Sequence, residues 1–393
     1  MDIFQKCLDF DRATRVREQG LYPYFIPLSG QVGPEMEIDG RKIIMLGSNN
    51  YLGLTNHPTV KQKAIMALEK YGTGCTGSRF LNGTLDLHVM LEEKLAEFLK
   101  SERVLTFSTG FQTNLGVIST LAHKGDTIFV DRSDHASIID GTRLSHARVF
   151  KFRHNDTGHL RHLLEREREM GALLVVDGVF SMEGDLANLP EILPLAHEFR
   201  ARVIVDDAHG VGVMGEHGRG TAEHFGVEDQ VDILVGTFSK SFASIGGFAS
   251  GPAKVMDYIQ HASRPLIFSA SMPPPAVATV LAALEVIQEE PERLANVHRA
   301  ADRAREGLRQ LGYDIGDSCA APIIPVIIGD DMLTFLTWKR LFEEGVFTNA
   351  VISPAVAPDR AMLRTSYMST HTEECIDRAL AAFEKVGSEL DLI

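Results

Sequence analysis

Val231-Asp-Ile-Leu-Val-Gly-Thr-Phe-Ser-Lys-Ser-Phe-Ala-Ser-Ile-Gly-Gly-Phe248 carries a lysine just past an apolar, strand-like run. Ile233, Leu234 and Val235 make the run, Thr237, Ser239 and Ser241 make a hydroxyl-bearing turn around Lys240, and a Gly-Gly pair follows. Burial disfavours an ammonium ion, so a lysine in a partly dehydrated pocket has a lowered pKa and can condense with an aldehyde as a Schiff base. Hydroxyls and turn N–H groups beside it can hold a phosphate as an anion nest. Pyridoxal 5'-phosphate presents both groups. Taken alone, the stretch reads equally well as a surface lysine on a serine-rich turn.

Val203-Ile-Val-Asp-Asp-Ala-His-Gly210 weighs against that second reading. Three β-branched residues signal a buried strand, and the carboxylates arrive at its end, where α/β proteins place their ligands. Asp206 and His209 lie three apart across the turn, so both can face one ring. A carboxylate there keeps a pyridine nitrogen protonated, as a pyridoxal electron sink requires. A capping Asp-Asp pair and a surface histidine are the competing account.

Working outward, short β-rich runs at 104–107, 127–130, 149–152, 173–177, 202–205 and 233–236 alternate with helical stretches such as 159–170 and 190–200. This alternation predicts an α/β fold with a large, mainly parallel sheet covered by helices on both faces. At 393 residues the chain exceeds one ordinary core. The expected division is an N-terminal arm and small segment (1–56), a large cofactor-binding α/β domain (57–290) and a smaller C-terminal α+β domain (291–393).

Further candidates sit at the ends of these runs. Ser108-Thr-Gly-Phe-Gln-Thr-Asn114 closes a strand and opens an apolar helix, whose N-terminal amides favour an anion. The cofactor phosphate is assigned there, shared with Thr237. His135 in Asp134-His-Ala-Ser137 lies just past the strand ending at Asp131, with a surface histidine as the alternative among fifteen in the chain, and Ser181 after Val175-Val-Asp-Gly-Val-Phe180 ends a strand on the same edge. Asn50 in Gly47-Ser-Asn-Asn-Tyr-Leu-Gly53 is a candidate substrate contact, with a structural turn residue as the alternative. Arg364, amid an apolar strand, needs a partner; a substrate carboxylate or a structural ion pair would serve. The glycine-rich segment 72–84 fits neither dinucleotide fingerprint nor P-loop and leaves the role of Arg79 open. The arm Leu21-Tyr-Pro-Tyr-Phe-Ile26 and Pro273-Pro-Pro275 line either an apolar groove or a subunit interface.

Composition narrows the function class. The chain is 44% hydrophobic and 23% charged, with a net charge of −14 and no basic run, which argues against nucleic acid. No apolar stretch suits a bilayer span and the acidic start is no signal peptide, so a cytoplasmic location is expected, with at most peripheral membrane contact. Four dispersed cysteines show no zinc or disulfide spacing, and no metal is expected.

Read together, Asp-His-Ala-Ser at His135, Val-Asp-Asp-Ala-His-Gly at Asp206 and His209, Gly-Thr-Phe-Ser-Lys-Ser at Lys240 and Leu-Arg-Thr-Ser at Arg364 resemble the α-oxoamine synthases in order and spacing. These are fold-type I pyridoxal phosphate enzymes that join an amino acid to an acyl-CoA with loss of carbon dioxide. The Phe-Ser preceding Lys240 and the run 345–358 look like the serine palmitoyltransferase branch; in the 8-amino-7-oxononanoate synthase and glycine C-acetyltransferase branches the lysine turn usually reads Thr-Leu-Gly-Lys. A threonine that contacts substrate in the biotin-pathway relatives aligns with Ala355.

The resemblance implies a role for each matching residue. Lys240 is the Schiff-base lysine, Asp206 partners the pyridine nitrogen, and His209 bonds the ring hydroxyl. His135 stacks on the ring, Gly110, Phe111 and Thr237 contact the phosphate, Ser181 lies beside the ring, and Arg364 holds the amino-acid carboxylate. It further implies L-serine and acyl-CoA as substrates and a homodimer in which Ser269 reaches the phosphate of the other subunit.

Overall fold

The computed structural model describes every residue except Met1, Asp39, Arg168 and Glu169. Its centre is a seven-stranded sheet in the order Arg103–Phe107, Gly247–Gly251, Ile233–Thr237, Arg202–Asp206, Ala172–Asp177, Thr127–Asp131, Arg148–Phe152. Only Gly247–Gly251 runs antiparallel to its neighbours. The six strands expected from the β-rich runs are all present, each within about a residue of the expected bounds. The seventh is Gly247–Gly251, built from Gly-Phe-Ala-Ser-Gly, a composition without the β-branched signal.

The inner strands of this sheet are buried on both faces, which is why they are continuous apolar runs, whereas the edge strand Arg148–Phe152 is exposed along most of its length. Leu174, Val176, Val203 and Val205 join one core cluster, and Leu173, Val175, Ile204 and Val235 join the other. Successive side chains therefore feed opposite helical layers. Helices Leu189–Glu198 and Thr157–Arg166 cover one side, Gly110–Leu121 and Ala253–Ala262 the other. The helix expected at 159–170 is Thr157–Arg166; residues 168 and 169 lie outside the described ones.

A second lobe forms from both ends of the chain. Ile323–Gly329, Ala361–Ser366 and Asn349–Val351 make an antiparallel sheet, packed on the helices Glu292–Leu311, Asp331–Glu343 and Glu373–Glu389. The strand Arg41–Met45 pairs in parallel with Val346–Phe347, tying residues far apart in sequence to one lobe.

In the aromatic arm, Leu21, Tyr22, Tyr24 and Ile26 pack on the small lobe's own core, with Tyr24 edge-on to Phe335 at 6.0 Å. Phe25, 95% exposed, is the aromatic residue of the arm that this packing leaves open. Pro274 and Pro275 open the helix Pro274–Glu289, where the fixed φ and missing N–H of proline cost nothing. Arg79 is settled as structural, since it forms a two-pronged pair with Glu92 at 2.7 and 3.1 Å. No helix among the described residues is long and apolar enough to cross a membrane.

Candidate active site

The C-terminal ends of the parallel strands, where backbone ladders stop and side chains are freed, open into a cavity of about 360 Å³. Lys240, Asp206, His209, His135, Ser181, Thr237, Gly110 and Phe111 all line it, although they come from positions 110 to 240 of the chain. Adjacent strands deliver Asp206 and Asp177 in register. Each stands at the last position of its strand.

One end of the cavity is built for an anion. The helix Gly110–Leu121 points its N-terminus there, with Thr109 Oγ1 accepting from Gln112 N at 3.1 Å. That cap leaves the Gly110 and Phe111 amides without a partner among the described residues, in the positive end of the helix dipole. A Cβ on Gly110 would come within 2.8 Å of Thr237 Oγ1, so glycine is what lets this turn and the Lys240 turn close on one another. Thr237 Oγ1 lies 3.0 Å from Ser239 Oγ.

The other end carries the titratable groups. Burial lowers the Lys240 amine to about 8, against the opposing pull of Asp206 and Asp177. His209 is driven well below its usual value by burial and by the neighbouring Lys240 and Arg364 cations. Burial likewise lowers His135, and it raises Asp177, to which the Asp206 charge adds. Burial is again the first cause that lifts Tyr51 to about 12. Neutral imidazoles, a softened amine and an in-register pair of acids thus meet in one space, the combination expected where proton transfer is managed. The orphaned Oδ1 of buried Asn114 shows that the site's hydrogen bonding is incomplete within the chain. With an amine for an aldehyde, a strand-end carboxylate and a helix N-terminus for a phosphate, the residues fit pyridoxal phosphate.

Arg364 arrives from the small lobe, on Ala361–Ser366. Its guanidinium donates to Ser181 O at 2.5 Å, Ser366 Oγ at 2.7 Å and Asn49 Oδ1 at 3.0 Å. All three partners are neutral, and no ion pair to Arg364 exists among the described residues. The alternative of a structural ion pair is thereby removed.

Asn50 has the loop-closing contact that its structural alternative calls for. Its amide donates to Thr55 Oγ1 at 2.8 Å and closes its own loop, while the asparagine that faces Arg364 is Asn49. Ser269 also lies outside the residues lining this chain's cavity. Asn49, Tyr51, Asn114, Ser137 and Asp177 belong to the site as well, with no sequence signal of their own. Tyr51 Oη lies 2.7 Å from His209 Nδ1 and also contacts Asn49, linking the histidine to the arginine. Asn114, Ser137 and Asp177 stand inside stretches already singled out, and only the folded geometry shows that they point inward.

Comparison with known proteins identifies the family and the fold. The model of the aminotransferase class I and II family matches residues 41–383. A serine palmitoyltransferase of Sphingobacterium spiritivorum is 48% identical over 98% of this chain and 96% of its own. An 8-amino-7-oxononanoate synthase of Thermoanaerobacter pseudethanolicus is 43% identical over 98% of both chains. A solved structure of a serine palmitoyltransferase variant from S. paucimobilis, with bound PLP and myriocin, superposes with a TM-score of 0.96 at 35% identity, covering 100% of both chains.

Proposed function

The chain belongs to the aminotransferase class I and II family, as a pyridoxal phosphate-dependent acyltransferase of the α-oxoamine synthase group, and from that premise we propose that it condenses L-serine with palmitoyl-CoA, giving 3-ketodihydrosphingosine, CoA and carbon dioxide. Arg364 is the observation that carries the reading. A buried guanidinium with only neutral partners, touching a cavity-lining residue, needs an incoming carboxylate to complete it. The relatives named serine palmitoyltransferase, at up to 48% identity, favour serine as the amino acid that brings it.

When bound, pyridoxal phosphate supplies the electron sink that makes loss of a proton or a carboxylate from an amino acid's α-carbon feasible. Asp206 would keep the pyridine nitrogen protonated, and His209 would meet the ring hydroxyl. His135 would cover the ring with Ser181 beside it, while Thr237 and the Gly110 and Phe111 amides take the phosphate. Lys240 Nζ, lowered to about 8, is deprotonated in a useful fraction near neutrality and accepts the α-proton of serine. The α-carbon attacks the thioester carbonyl, the C–S bond breaks and CoA leaves. The bond to the carboxylate held by Arg364 then breaks, carbon dioxide departs, and a proton returns from Lys240 to the α-carbon. The working form is a cytoplasmic homodimer in which Ser269 of the partner subunit completes the phosphate site. Contact with membrane is at most peripheral and follows from the lipid product.

The test is a spectral titration of the holoenzyme with L-serine, glycine, L-alanine and L-threonine, then mass analysis of products formed with acetyl-CoA and palmitoyl-CoA. Each buried methylene contributes about 0.8 kcal/mol, so efficiency with L-serine should climb steeply from the two-carbon to the sixteen-carbon ester. Equal or better efficiency with glycine and acetyl-CoA would overturn the assignment. A product from L-alanine instead would favour the oxononanoate reading suggested by the 43% identical relative.

A further inference from the structure

The chain's own hydrogen bonds fix the tautomer of His135. Asn114 is buried in the helix Gly110–Leu121, and its Nδ2 lies 2.5 Å from Asp206 Oδ2 and 2.9 Å from Ser137 Oγ. An ionised carboxylate only accepts, so the NH2 end of the amide must face Asp206; the reverse orientation would set two acceptor oxygens together. The same NH2 group then donates its second proton to Ser137 Oγ, which keeps its own proton to give. Ser137 Oγ sits 2.7 Å from His135 Nδ1, and the Ser137 backbone N–H donates to that same nitrogen at 3.3 Å. A ring nitrogen that receives two donors carries no proton, so the proton of the neutral ring is on Nε2. Nε2 has no hydrogen-bond partner among the described residues, and His135 lines the cavity.

We propose that Asn114 and Ser137 are positioning residues that lock His135 as the Nε2–H tautomer and tie that choice to the orientation of Asp206. His135 then offers a donor to the bound amino acid, whereas the opposite tautomer would turn a lone pair toward its anionic carboxylate. Asn114 makes one unit of two groups that act at different places, because its single NH2 serves both Asp206 and, through Ser137, His135. The orphaned Asn114 Oδ1 fits this account, since burying an amide oxygen without a donor is unfavourable and the two donated bonds offset it. The inference rests on reading the cavity as an amino-acid and pyridoxal phosphate site.

The test is nitrogen NMR of the resting holoenzyme labelled with 15N-histidine, with the His135 signals identified by their loss in His135→Gln. The expected spectrum has Nε2 protonated and Nδ1 bare. Ser137→Ala leaves only the long backbone N–H contact on Nδ1, so it should admit a measurable fraction of the other tautomer and lower kcat roughly tenfold with little change in the cofactor absorbance, and Ser137→Thr should restore both. Asn114→Leu should mix the tautomers and also shift the cofactor absorbance, because Asp206 loses its partner. A wild-type ring protonated on Nδ1 would overturn the proposal, as would Ser137→Ala with an unchanged tautomer and unchanged kcat. A merely structural brace between the two helices predicts lower stability with no change of tautomer. Substrate plays no part in the spectrum, so a wrong substrate assignment leaves the result standing. A wrong cofactor assignment would show instead as absence of the pyridoxal phosphate absorbance.

Discussion

Two carboxylates, Asp206 and Asp177, work against the burial that lowers Lys240 to about 8. Below that value the amine is an inert ammonium, so the rate at which cofactor-free protein captures pyridoxal phosphate should rise with pH and level off above about 8. An ordinary lysine, near 10.4, would keep accelerating well beyond that pH. Stopped-flow absorbance measures the curve, and Asp206→Asn should move it to lower pH, since one opposing negative charge is gone. Lys240→Ala should lose roughly a thousandfold or more in turnover together with the visible absorbance of the bound cofactor. For Arg364, substitution by lysine keeps a charge but not the planar fork, and KM for L-serine should rise roughly tenfold to a hundredfold. Lys240, Asp206 and His209 were legible because they stand together at strand ends beside a hydroxyl-rich turn and a helix N-terminus, and Asp177 was not, because only the register with Asp206 brings it to the same edge. The inward-facing amides were not legible either. Asn49 and Asn50 are adjacent in one polar loop, and only the loop's own closure through Thr55 decides which of them faces Arg364.

At the scale of elements, the inner parallel strands could be read because they are apolar, β-branched-rich runs buried on both faces, while Gly247–Gly251 could not, because its place is fixed by packing. A Cβ on Gly247 would meet the Gly110 backbone at 2.7 Å, and one on Gly236 would meet the Phe248 ring at 2.4 Å. Arg79 was undecided in the sequence for a related reason: its partner Glu92 lies on the next helix, Asp86–Phe98. Glu92 accepts from Arg79 and also from Thr106 N and Oγ1 at 2.9 and 2.8 Å, pinning that helix to the edge strand Arg103–Phe107. Both partners are largely shielded, so Glu92→Gln should destabilise the protein by about 2 kcal/mol, read as a lower urea midpoint at unchanged slope. His154 binds another pair of elements, with Nδ1 3.1 Å from Asp131 Oδ1 and Nε2 2.8 Å from Asp185 Oδ2. Burial alone would lower its pKa, but the hydrogen bonds that its ring donates to both carboxylates, with their charges, push it up to about 10. A raised folded value means that its stabilising contribution is complete below about 6.5 and is lost as pH climbs toward 10. The gap in unfolding free energy between wild type and His154→Gln should therefore shrink across that window, and a constant gap would contradict the charged pairing.

For the whole molecule, the surface poses a question that a single chain does not answer. On the helices Pro58–Tyr71 and Asp86–Phe98, Ile65, Met66, Leu68, Val89 and Met90 are all exposed, and the loop between them exposes Phe80 and Leu81, the latter at 77%. Met66 and Met90 line one cleft, so this is a face and not a scatter of single residues. An apolar face of this kind marks an association site. The phosphate end of the cavity is meanwhile supplied by Thr237 and two amides of one turn, and Ser269 stands outside it beside the exposed Phe268. Both observations are accounted for if a second copy covers the face and brings its Ser269 to the first copy's phosphate. The two can be separated by mutation. Met66→Lys with Met90→Lys should shift sedimentation toward monomer, and cofactor affinity should fall in step with dissociation, because binding that needs the dimer is linked to its concentration. Ser269→Ala should leave sedimentation unchanged and weaken cofactor binding by roughly tenfold to a hundredfold, the value of one hydrogen bond to a charged group. A monomer that retains full activity and full cofactor affinity would reject the shared site, while leaving the chemistry of Lys240, Asp206 and Arg364 within one chain intact.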